Sequence, residues 1–87
     1  MKYIAVFKSL TYAQRIQNKF KADKMPLIIK TPKALAGGCS YSIEFSDELL
    51  ADVIKYTDSN KRGFVGIYKV YSNLSNHLRK DYEKMNV

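Results

Sequence analysis

The order of the patterned segments constrains this chain more than any single residue does. Residues 2–8, KYIAVFK, are rich in Tyr, Ile, Val and Phe, which reads as a strand. After Ser9 or Thr11 as a cap, Tyr12 or Ala13, Ile16 and Phe20 recur at helical spacing, and Pro26 closes that helix. PLIIKT is a short β-branched strand. YSIEF, residues 41–45, alternates apolar and polar positions with the period of 2 that a strand requires. Ser46 then caps a second helix. Asp47 and Glu48 stand in its first turn, and Leu49, Leu50, Val53, Ile54 and Tyr56 or Thr57 form its apolar face. Gly63 serves the turn into FVGIYKVY, residues 64–71, a fourth strand. Leu74, Leu78, Tyr82 and Met85 fall at i, i+4, i+8 and i+11, which predicts a C-terminal amphipathic helix.

This order, β-α-β-β-α-β plus a helix, predicts an α+β fold of the ferredoxin-like type. Two helices cover one face of an antiparallel sheet with strand order 4-1-3-2. Residues 1–71 form that domain, and the helix over residues 72–87 packs on it or on a partner. The stripe of this helix buries either against the open sheet face of its own chain or against the same stripe in a second copy, which would make a homodimer.

Eighty-seven residues leave room for one core, and the 46% hydrophobic share fits a globular chain. No apolar run is long enough to span a membrane, and Lys8 interrupts the N-terminal run too early for a signal peptide. The single cysteine makes no internal disulfide, which fits a reducing, cytoplasmic setting. One Cys and one His, His77, are too few for a closed zinc site, so neither metal nor cofactor is expected. The formal charge is +7. All of the excess lies before residue 39, because the remainder carries equal numbers of each sign. A basic half of this kind suits a solubilising surface, nucleic acid or an acidic protein.

The predicted topology gives the lone cysteine an address. The loop over residues 32–40, within TPKALAGGCS, lies at the same end of the sheet as the entry to the first helix and the turn into the fourth strand. That end gathers Lys8, Ser9, Thr11, Lys33, Lys61 and Arg62 near Cys39. A helix N-terminus and cations both favour thiolate over thiol. Gly37 and Gly38 open the approach, and their amides can hold an anion. Ser40 follows directly. The competing reading is a small apolar Cys39 buried at the start of the third strand.

The same residues carry a resemblance. Over about residues 3–71 the chain resembles a small bacterial domain family of selenium/sulfur carrier-like proteins. YIAVFKSL matches its opening strand. Thr31, Pro32, Lys33 and Cys39 match its Thr-Pro-basic motif and cysteine, and GIYKV, residues 66–70, matches its closing strand. Lys33 stands where the family has arginine, which removes a bidentate anion fork. Ser40 stands where it has glycine. The resemblance implies a carrier or accessory protein more than a stand-alone enzyme. Cys39 would accept sulfur or selenium from a donor protein, with Thr31, Pro32, Lys33, Gly37, Gly38 and Ser40 forming the surrounding loop.

The alternative is a binding module without catalysis. It engages nucleic acid or a protein partner through the basic first half or the open sheet. Tyr3, Phe7, Tyr41 and Phe45 imitate the base-stacking rings of RNA-recognition modules if they face outward. If Ile43 faces the helices, Tyr41 and Phe45 belong to the core.

Overall fold

The computed structural model describes residues 1–35, 40–72 and 80–86. Five strands and two helices follow in the order β1 (Lys2–Phe7), α1 (Leu10–Gln17), β2 (Leu27–Lys30), β3 (Tyr41–Ser46), α2 (Asp47–Ser59), β4 (Phe64–Ser72) and β5 (Lys80–Lys84). The fold is α+β, and all strand pairs in its single sheet are antiparallel.

The strand order is β2-β3-β1-β4-β5. Read from the other edge, the first four strands have the expected order 4-1-3-2. β1 is central, and Tyr3 through Phe7 are all buried. A strand covered on both faces has no solvent side to hold polar residues, which accounts for its unbroken apolar run. Its register sets Ala5 opposite Ile43 of β3 and Ile67 of β4. These three meet Tyr3, Phe7 and Phe45 in one cluster with Ala13 and Ile16 of α1 and Val53 of α2. This is the helix-covered face. Burying one side chain the size of Ile43 or Ile67 contributes about 1.5–3 kcal/mol.

Local sequence explains the helix limits. Ser46 holds the N-cap position of α2 in extended conformation, and Asp47 and Glu48 occupy the first turn. α1 is shorter than its apolar spacing predicts. Asn18 caps it, and the backbone amides of Lys19 and Phe20 bond back to Ile16 and Gln17 at 3.1 Å each. Phe20 therefore reaches the helix layer from beyond α1. A single 3-10 turn, Ala22–Lys24, completes the crossing toward β2.

The predicted C-terminal helix requires correction. Residues 80–84 form β5, with Tyr82 opposite Val70 and Lys84 opposite Tyr68. Met85 donates its amide to the Ile67 carbonyl at 2.8 Å and packs against the core cluster. The unpaired edge of β4 offers hydrogen-bonding groups that a solvent-facing helix would leave unused. Leu74, Leu78 and His77 lie outside the described residues.

The aromatic ambiguity resolves with the register. Tyr3, Phe7 and Phe45 are buried on the helix side, and Tyr41 packs against them. The opposite face carries Ile4, Val6, Ser42, Glu44 and Gly66 instead, so it presents none of the four rings proposed to stack bases. Ile4, Val6 and Ser42 are nonetheless buried. The Lys84 stem lies over Gly66, where an added Cβ would sit 3.1 Å from its Cε. Methylene stems of this kind cover apolar surface while the charge stays in water.

Candidate functional site

Cys39, Gly37 and Gly38 lie outside the described residues. The chain on both sides of them is described, and it is pinned. The Thr31 amide donates to the Ser40 carbonyl at 3.3 Å, one step beyond the last paired residues, Lys30 and Tyr41. The hydroxyls of Thr31 and Ser42 share a hydrogen bond of 2.6 Å in a buried position. Pro32 accepts the Leu35 amide at 3.0 Å, closing a turn that leaves Lys33 exposed. Ser40 Oγ is buried and has no hydrogen-bond partner among the described residues. The loop therefore leaves the sheet at Thr31 and rejoins it at Ser40 through a fixed gate.

The neighbouring rim is built from two other turns. The Lys8 amide donates to the Gly63 carbonyl at 2.8 Å, which ties the entry of α1 to the turn into β4. Gly63 has a φ of 77°, and a Cβ there would enter the Tyr12 ring. Only glycine satisfies both demands. Ser9 stands at the N-cap of α1 in extended conformation without a side-chain cap bond. Phe7 pairs with Tyr41 on one side and Phe64 on the other, so β1 ends between the loop and this turn. Of the rim cations, Lys61 meets Asp58 at 3.3 Å, both exposed. Lys8, Lys33 and Arg62 make no ion pair among the described residues.

A second feature escaped the sequence reading. Lys19, Phe20, Lys21, Lys24, Leu49, Asp52 and Tyr56 line a groove of about 230 Å³ in the helix layer, away from the loop. The run KFKADK carries the signal for it, a ring between lysines, but its position over α2 depends on tertiary packing.

Among the described residues, three titrating groups are shifted, all upward. Burial raises the Tyr3 hydroxyl, and its hydrogen bond with Asp47 adds to this. A hydrogen bond with Tyr71 raises Lys69. Burial and then the Glu44 charge raise Tyr82. Among the described residues, no group of three His, Cys, Asp or Glu can hold a metal ion, and no helix is long and apolar enough to cross a membrane.

Compared with known proteins, residues 2–69 match a family model described as "Putative Se/S carrier protein-like". No curated protein and no solved structure matches.

Proposed function

We propose, from the premise that this chain belongs to the Se/S carrier protein-like family, that Cys39 carries a sulfur or selenium atom between two partner proteins. The observation that supports this reading is the gate at Thr31, Ser40 and Ser42, which fixes both ends of the cysteine loop on a rigid sheet. A carrier thiol needs access to two partners in turn, and a short loop anchored at both ends offers that access without loosening the domain. The carrier unit is residues 1–71, a ferredoxin-like arrangement to which β5 adds an edge.

In the loading step the Cys39 thiolate attacks the outer sulfur of a donor protein's persulfide. The donor's S–S bond breaks, a new S–S bond forms on Cys39, and the donor cysteine leaves as thiolate. Sulfur changes hands with no net oxidation or reduction. Selenium follows the same path from a donor selenopersulfide. Lys33 and the amides of Gly37 and Gly38 stabilise the anionic forms of the loop. Thr31 and Pro32 shape its exit from the sheet, and Ser40 its return.

Intact-mass measurement after incubation with a small persulfide donor tests the reading. The native chain gains one sulfur that dithiothreitol removes, and Cys39→Ser gains none. A native chain that stays unloaded while free cysteine loads under the same conditions refutes carriage by Cys39.

A further inference from the structure

The groove in the helix layer has a construction that the thiol loop does not explain. Its floor is apolar: Phe20 meets Tyr56 edge to face at 5.2 Å, and Leu49 lies beside them. All three are half-buried, so part of each ring or chain stays open to the groove. One wall is basic. Lys19 lies over the Tyr56 ring at 5.7 Å, and Lys21 and Lys24 stand next to it, exposed and without an ion pair among the described residues. Asp52, on the α2 side, is the single acid of the lining.

The basic wall is also held in place. Gln17 Nε2 donates to the Pro26 carbonyl at 2.9 Å, bracketing residues 18–26, and the Lys24 amide bonds to the Lys21 carbonyl at 3.0 Å. A preformed wall lowers the ordering cost of binding. Its volume, about 230 Å³, is below the roughly 300–1,000 Å³ of sites that enclose a cofactor or drug-sized ligand. It suits one or two side chains.

From this floor, wall and size we infer that the groove docks a segment of a partner protein that inserts an aromatic or long aliphatic anchor between Phe20, Leu49 and Tyr56 and sets acidic residues against Lys19, Lys21 and Lys24. Interface energy concentrates in buried anchors of this kind, while opposite charge at the rim sets orientation and encounter rate. Asp52 fixes the polarity: the partner's acids fall on the Lys21 side, and a neutral or basic residue meets α2. The groove takes this partner whatever chemistry the cysteine loop performs.

A random linear peptide library displayed on phage and selected on the full chain tests the inference. Enriched peptides carry an aromatic, Leu or Met anchor beside Asp or Glu. Fluorescent copies of them lose about tenfold or more in affinity for the double variant Lys21→Glu, Lys24→Glu. Arg15→Glu with Lys55→Glu makes the same change in net charge outside the groove, and it loses less than about threefold. Circular dichroism confirms that both variants fold. The inference is overturned if no peptide is enriched, if the enriched peptides lack acids, or if the two double variants lose equally. It is also overturned if oligothymidine binds tighter than any peptide and loses its affinity at Lys21 and Lys24, which would make the groove a nucleic-acid surface.

Discussion

Thr31 and Ser42 show how a residue's role depends on a partner eleven positions away. Thr31 was readable as part of the Thr-Pro-Lys motif. Ser42 was not, because a serine between Tyr41 and Ile43 on an alternating strand reads as a solvent-facing position. In the fold it is fully buried, since β3 lies inside the sheet and its far face is covered too. Their mutual hydrogen bond satisfies two buried hydroxyls at once. Thr31→Val keeps the shape and leaves the Ser42 hydroxyl without its partner, which costs about 1–3 kcal/mol. Removing both hydroxyls, with Thr31→Val and Ser42→Ala together, costs less than the sum of the single changes. Thermal unfolding of the four proteins measures this, at about 4–8 °C per kcal/mol for a domain of this size. Strict additivity would show that the two hydroxyls act separately. Gly63 was readable as a turn residue, while the Tyr12 ring that forbids a side chain there depends on the packing of α1.

At the scale of elements, the two helices and the first four strands follow from periodicity, with limits that shift by a few residues, and Ser9 and Ser46 hold the N-cap positions without a side-chain cap bond. β5 does not. Its sequence, KDYEK, has no β-branched residue, and Tyr82 and Met85 fit a helical stripe as well as a strand. Pairing with β4 decides the matter, a tertiary effect that local pattern cannot carry. Of the cysteine loop only the ends are described, and there the chain leaves the sheet beside Pro32 and rejoins it at Ser40, at two of the breaks that the sequence marks. A chain ending after residue 79 loses the whole of β5 and uncovers the edge of β4, and exposed edges template association. Such a chain exchanges the β5-facing amides of β4 faster in hydrogen-exchange measurements and shifts to larger species on size exclusion. Unchanged exchange and elution would show that β5 contributes nothing to the sheet's integrity.

For the whole molecule, the shifted groups point to one pH limb. The basic excess was visible in the sequence, but its gathering of Lys19, Lys21 and Lys24 around two rings was not, because α2 supplies Tyr56 from far along the chain. Tyr3, Lys69 and Tyr82 all titrate higher in the fold than in the unfolded chain. A raised folded pKa means that the native state holds its proton more tightly than the unfolded state does. That contribution is complete below the unfolded values, about 10 for tyrosine and 10.4 for lysine, and is lost as pH rises through the folded ones. Stability therefore declines on the alkaline side. The groups facing Tyr3 are Asp47, Lys69 and Tyr71, so its deprotonation sets a phenolate against the Asp47 carboxylate with which the neutral hydroxyl was hydrogen-bonded. Tyr3→Phe keeps the stacked contact with Phe45, whose ring centroid lies 5.8 Å away, and removes the proton. Denaturant unfolding from pH 8 to 11 should show a shallower alkaline decline for Tyr3→Phe than for the native chain. Parallel profiles would assign that decline to Lys69 and Tyr82 and would remove Tyr3 from the linkage.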